Sequence, residues 1–223
     1  QSLISGNNFL DVSSYFITES DLINILERII PTQYPEAMEV ERYNYGINTI
    51  TKQVVYVIFE YPYDQQAMQA RNIQVEQAAN AILARIDPTM TDLQKVKAIH
   101  DYLVSTVSYD YEIIQLGFMR RSSFSVYGAL VDQKAVCQGY ALAFQMLMNR
   151  LGIPSLFVSS EAMNHAWNMV RIGDDWYHVD STWDDPVPDI PERVQYQTFM
   201  VSSTKISSLK MLTMVGIWIY QRR

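Results

Sequence analysis

The stretch from residue 137 to residue 183 constrains the fold more than any other part of this chain. Cys137, Tyr140, Ala141, Phe144, Leu147, Met148 and Leu151 recur at helical spacing on one face. Gly152-Ile153-Pro154 then closes that helix, glycine accepting the left-handed backbone of a helix end and proline refusing continuation. Three β-favouring runs follow at 155–160, 165–172 and 176–182. Gly173-Asp174, between the last two, has the composition of a two-residue hairpin loop. A helix followed by consecutive strands on tight turns predicts an α+β fold with an antiparallel sheet.

Upstream, Leu22, Ile25, Leu26, Ile29 and Ile30 predict a short amphipathic helix over 21–30, with Ser20 as N-cap and Pro31 as its stop. Residues 38–45 and 49–61 read as a hairpin whose turn is Tyr45-Gly46-Ile47-Asn48. A second helix follows over 69–86 through Ile73, Ala78, Ala79, Ile82, Leu83 and Ile86, and Asp87-Pro88 breaks it. These elements form a small α/β unit over residues 1–88. The second unit, 89–223, begins at Thr91-Asp92-Leu93-Gln94, which has the form of a capping box.

The charge balance removes several function classes. Seventeen Lys and Arg against 24 Asp and Glu give a net charge of −7 over 223 residues, so nothing global favours nucleic acid or an anionic membrane. Hydrophobic residues at 48% and charged residues at 18% exclude a disordered chain. The apolar runs at 54–59 and 211–220 fall short of the roughly 20 residues of a membrane-spanning helix. A single cysteine forbids an internal disulfide and any cysteine-cluster metal site. The opening Gln1-Ser2-Leu3 lacks an initiator Met, which leans toward removal of a leading segment and an extracellular or cell-surface location.

Cys137 stands at the start of its helix, where unpaired backbone N–H groups and the dipole's positive end favour an anionic sulfur. The competing role is that of a small buried hydrophobe. A nucleophilic sulfur needs a base, and the chain has three histidines, His100, His165 and His178. If Gly173-Asp174 is the whole loop, paired positions sum to 347, and His165 and Asp180 fall on one sheet face as diagonal neighbours. A carboxylate there can hold the second ring nitrogen and fix the tautomer. Ala166, Val170, Ile172, Tyr177 and Val179 fall on the other, core-facing side. His178 shares the face of His165 and could by chemistry alone be the base, although a hydrogen-bonded packing role suits it better; His100 reads as a core-edge histidine. Asp180, Asp184 and Asp185 beside two histidines invite a metal, but no HxxxH pair or spaced ligand set is present. Trp167, Trp176 and Trp183 cluster around the base, as ordinary core or as the walls of a water-poor cleft.

Ala135-Val136-Cys137-Gln138-Gly139-Tyr140-Ala141, then Asn164-His165-Ala166-Trp167-Asn168, then Trp176-Tyr177-His178-Val179-Asp180-Ser181-Thr182-Trp183-Asp184-Asp185-Pro186 resemble the bacterial branch of the transglutaminase-like superfamily. The resemblance covers roughly residues 91–200 and includes the lead-in 95–103; residues 207–223 depart from the family pattern. It implies a papain-like core in which a cysteine-bearing helix packs on a sheet that carries His and Asp. Carried over by motif, Cys137 is the nucleophile, His165 the base and Asp180 the orienting carboxylate. Gln138, Trp167, Trp183 and Tyr109 are the candidate substrate contacts, and no cofactor or metal is expected.

The activity so implied is cysteine-dependent acyl transfer on a peptide or protein, cell-wall peptide included, through a thioester. Water as second nucleophile makes it a peptidase or amidase, the outcome favoured here, and a lysine amine makes it a cross-linking enzyme. The rival class is a catalytically silent cell-surface module that holds a peptide or glycan in the same cleft. Beside the Cys137 backbone N–H, a second oxyanion donor is sought among Tyr109, Tyr111 and Gln138.

Overall fold

The computed structural model describes residues 6–112, 120–185 and 193–205. Pro186, the opening Gln1-Ser2-Leu3 and the segment 207–223 lie outside them. The first unit is a three-stranded antiparallel sheet, β1 (Phe9–Asp11), β2 (Arg42–Ile47) and β3 (Val54–Glu60), in the order β1-β3-β2. Val12, Leu22, Val54, Val57 and Phe59 form its core.

Sequence patterning located these elements and misplaced several ends. The first helix, α1 (Glu19–Asn24), is capped by Thr18 in a capping box with Asp21, two residues earlier than Ser20. Pro31 does not stop it: a π turn at Ile25–Ile29 leads into α2 (Ile30–Gln33), with Pro31 in the first turn of α2. The wider π ring accommodates a pyrrolidine that would clash with the carbonyl four residues back in a regular helix. The hairpin turn falls at 48–53, closed by Asn48 N–H to Gln53 O at 2.9 Å, and β2 runs through Gly46. A Cβ at Gly46 would sit 2.3 Å from the Tyr56 ring, so a larger residue there would have to push that half-exposed ring aside. Strand β1, three residues long, carried too little pattern to be read.

Helix α3 (Gln65–Leu83) starts at its Asp64 cap, and α4 (Asp92–Thr106) starts at the expected Thr91–Gln94 capping box. Val75, Ala79 and Ile82 of α3 pack into the larger core with Val96, Ile99 and Leu103 of α4. Two short strands, β4 (Ser108–Tyr109) and β5 (Lys134–Ala135), pair in parallel, and α5 (Val126–Leu130) lies between them in sequence. At the centre is α6 (Cys137–Leu151), with a run of ten buried residues from Gly139 to Met148. It ends at Gly152 in the left-handed region, φ 69°.

The second sheet contains β6 (Ser155–Ser160), β7 (His165–Ile172), β8 (Asp175–Val179) and β9 (Phe199–Val201), antiparallel in that order. Ile172 pairs with Asp175 and Asn168 with Val179, the register expected of a Gly173-Asp174 loop. Gly173 has φ 63°, as the first loop position of such hairpins requires. Ala166, Val170 and Val179 are buried, and Asn168 on that face donates through Nδ2 to Ala141 O of α6 at 3.0 Å. The fold is α+β, a helix carrying Cys137 packed on an antiparallel sheet.

Candidate active site

Cys137 is the first residue of α6 and is half-buried. Its N-cap, Val136, has an extended backbone and offers no side-chain acceptor. The N–H groups of Cys137, Gln138 and Gly139 find no acceptor among the described residues. A helix start left uncapped in this way presents donors and a positive potential to whatever sits in front of it.

His165 opens β7, directly after Asn164, whose positive φ of 45° turns the chain into the strand. Asp180 follows the last residue of β8 and is 1% exposed. Its Oδ2 lies 2.7 Å from His165 Nε2, while Oδ1 accepts from Trp183 N–H at 3.2 Å. Trp183 and Trp167 both stack on the imidazole, at centroid separations of 5.1 and 5.8 Å. Burial pulls the His165 pKa down, but the Asp180 charge, the Asp180 hydrogen bond and the side-chain hydrogen bond to Cys137 outweigh it and raise it to about 9. With Nε2 on Asp180, Nδ1 is the ring nitrogen left for the sulfur. The structure thus brings Cys137, His165 and Asp180 together in that order.

The other two histidines are occupied. His178 Nδ1 accepts from Trp167 Nε1–H at 2.8 Å, which fixes the neutral Nε2–H tautomer, and that N–H faces Ser203 Oγ at 3.1 Å. His100 is fully buried, with Nε2 3.2 Å from Asp184 Oδ2 and Nδ1 3.1 Å from Asp101 Oδ1. Asp184 also accepts from Thr198 N–H at 2.9 Å, so this buried pair ties down the turn that begins at Asp180. Among the described residues no group of three or more His, Cys, Asp or Glu could hold a metal ion. No helix among them is long and apolar enough to cross a membrane.

A cavity of about 690 Å³ reaches Cys137 and His165. Gln138 lines it, and its Nε2 donates to Phe124 O at 3.1 Å. Trp167, Trp183 and Tyr109 do not line it: the indoles brace the imidazole, and Tyr109 is half-buried near Cys137. Burial, then the nearby charges of Cys137, Tyr111, Asp110 and Asp180, push the Tyr109 hydroxyl far above its usual pKa, so it stays a protonated donor. Trp176 is 37% exposed and takes no part in the cavity. Sequence reasoning missed the opposite wall, which the first unit supplies through Ile30, Ala37, Met38 and Val40. No local pattern marks those residues, because only the docking of the two units turns them toward the sulfur.

Residues 76–181 match the family model of the Transglutaminase-like superfamily. The kyphoscoliosis peptidase of Homo sapiens is 26% identical over 153 residues, which cover 55% of this chain and 23% of that protein. This chain therefore spans under a quarter of that relative's length. Among solved structures, a TGase aligns with 64% of this chain and 44% of its own at TM-score 0.42 and 16% identity. A candidate cysteine protease from Cytophaga hutchinsonii aligns over 72% and 69% of the two chains at TM-score 0.39 and 14% identity.

Proposed function

We propose that this chain, whose residues 76–181 form a transglutaminase-like domain, is a cysteine-dependent acyl-transfer enzyme that hydrolyses peptide or amide bonds through a thioester. The observation that carries the reading is the continuous chain from Cys137 through His165 to a buried Asp180 at the end of an open cavity. The Cys137 sulfur attacks the substrate carbonyl carbon, and the departing amine takes a proton from His165. With a pKa near 9 the ring holds that proton at neutral pH, and the Asp180 carboxylate stabilises the imidazolium. Water, deprotonated by the now neutral ring, attacks the thioester, releases the acid and returns the sulfur.

The developing oxyanion faces the open N–H groups at the start of α6. Of the three candidates for a second donor, Gln138 lines the cavity and keeps one Nε2–H beyond its bond to Phe124 O, whereas Tyr109 and Tyr111 lie outside the lining.

The test is mass-spectrometric capture of an acyl adduct on Cys137 after incubation with mixed Gln-containing peptides and cell-wall peptides, in ¹⁸O-water and with a primary amine added. Hydrolysis gives ¹⁸O in the product carboxylate, and cross-linking gives the amide of the added amine instead. Turnover that survives Cys137→Ala would remove the assigned nucleophile.

A further inference from the structure

Strand β6 is an edge of its sheet, with β7 on one side and, among the described residues, no strand on the other. The register shows which of its backbone groups face outward. Arg171 N–H donates to Pro154 O at 2.9 Å, and onward from there Ser155 pairs with Val170, Val158 with Trp167 and Ser160 with His165. Hydrogen-bonded and non-bonded pairs alternate along an antiparallel ladder. Leu156, Val158 and Ser160 therefore turn their N–H and C=O toward β7, and Ser155, Phe157 and Ser159 turn theirs outward.

The outward groups near the start of β6 are taken. Ser155 O accepts from Gln145 Nε2 at 3.2 Å, and Phe157 N–H donates to Thr32 Oγ1 of α2 at 3.3 Å. Beyond that point the edge is open: the N–H and C=O of Ser159 have no partner among the described residues. Natural proteins cover, charge or bulge an exposed strand edge. Here the open residue, Ser159, lines the cavity that holds Cys137 and His165, together with its neighbours Phe157 and Ser160. The same cavity is lined by the apolar Ile30, Ala37, Met38 and Val40 of the first unit. Its 690 Å³ lies within the roughly 300–1,000 Å³ of ligand pockets.

We infer that an extended peptide substrate adds as a strand to the Ser159 end of β6 and places an apolar side chain against the first unit. The inference rests on the reading of Cys137 as the nucleophile and names what that nucleophile acts on. Main-chain hydrogen bonds to Ser159 supply affinity, and the pocket supplies side-chain choice. A peptide fits this wall because its backbone alternates the donor and acceptor that Ser159 leaves open. Charge sharpens the choice. Of the ionised groups in the cavity lining, Glu41 pairs with Arg121 and Arg42 with Glu60, while Glu27 and Glu161 have no ion pair among the described residues. Two unneutralised carboxylates disfavour an acidic side chain at that position.

The experiment uses short peptidyl vinyl sulfones, which alkylate Cys137, with each rate divided by the iodoacetamide rate of the same protein. Leu or Phe at the pocket position is expected to react at least about tenfold faster than Gly or Asp. Methylating single backbone nitrogens of the probe is expected to slow the reaction by about tenfold at the one residue opposite Ser159, as loss of a hydrogen bond would. Ser159→Pro removes an N–H that lies outside the β7 ladder, where an edge strand tolerates proline, and is expected to slow the unmethylated probe by about tenfold through the lost bond to a probe C=O, while the sensitivity to methylation, which reads the Ser159 C=O, persists. If this variant does not fold, the methylation series on the unaltered protein decides alone. Rates that depend on His165 but ignore both the side chain and the methyl groups overturn the strand addition and leave the nucleophile standing. An iodoacetamide rate, taken before that division, that His165→Ala leaves unchanged overturns the nucleophile, and the inference with it.

Discussion

Asp180 uses its two oxygens on two different donors, and this makes its replacement by Asn informative. Oδ2 faces the His165 ring and Oδ1 holds the Trp183 N–H. An Asn side chain keeps the shape but has one acceptor, so whichever way it turns, its amide N–H₂ meets a donor. Asp180→Asn is expected to lower kcat by about 10²–10⁴, the scale of a lost orienting carboxylate, with KM little changed. Steady-state hydrolysis of the best peptide measures it, and a loss below tenfold would show that Asp180 does not set the tautomer. The same pair makes stability depend on pH. The folded ring titrates near 9, above the roughly 6.5 of an unfolded histidine, so between those values the folded chain holds a proton that the unfolded chain has released. The stabilisation is fully present below about pH 6.5 and is lost as pH rises through 9, on the order of 3 kcal/mol for a side chain only 8% exposed. Urea midpoints at pH 6 and pH 9.5 should show that fall in the unaltered protein, and Asp180→Asn should flatten it.

The position of the sulfur depends on how closely the first turn of α6 approaches its neighbours. A Cβ on Gly139 would lie 2.5 Å from Ser123 O and 2.9 Å from the Ala135 Cβ, so backbone and a fixed methyl carbon bar the way. Helix propensity alone would make Gly139→Ala stabilising by about 1 kcal/mol. Rigid contacts of this kind reverse the sign: the variant is expected to unfold at lower urea and to lose peptide turnover, because the turn that carries Cys137 must shift. A higher midpoint would refute the close approach. The requirement is also the physical content of Gly139 in the quoted motif, and it bears on what a sequence can reveal. Helix α6, its Gly152 stop and the β7–β8 hairpin were legible because local rules, apolar spacing, a left-handed cap and a two-residue loop, decide them. The His165–Asp180 pairing was legible because it follows from that hairpin's register. The π turn before Pro31 and the three-residue β1 were not, since packing between segments distant in sequence outweighs local preference there. The cavity wall of Ile30, Ala37, Met38 and Val40 was illegible for the same reason.

At the scale of the molecule, the segment before β2, helix α3 and the cap of α5 meet at a buried ion pair. The Arg71 guanidinium of α3 bonds Glu39, with Nε 3.1 Å from Oε2, and the Glu39 carboxylate also accepts from Ser125 Oγ at 3.1 Å. Tyr63 and Tyr127 flank the guanidinium, with ring centroids 4.4 and 3.4 Å from its carbon. The side chains of Arg71 and Glu39 are only 13% and 9% exposed, so Glu39→Ala would strand a cation among apolar neighbours. Breaking a buried pair from one side costs about 3–5 kcal/mol, a large share of the roughly 5–15 kcal/mol that holds a domain together. The pair Arg42–Glu60 is the natural comparison, because it sits at 71% and 43% exposure between β2 and β3, where such pairs contribute about 0–1 kcal/mol. Urea denaturation followed by circular dichroism should therefore place Glu39→Ala well below Glu60→Ala. The loss should also reach the site, since Met38 and Val40 on either side of Glu39 line the cavity. KM for apolar peptides is expected to rise more in Glu39→Ala than in Glu60→Ala. Equal midpoints for the two variants would mean that the first unit is fastened elsewhere, and the Thr32 contacts to Gln145, Asn149 and Phe157 would then be what sets the cavity's width.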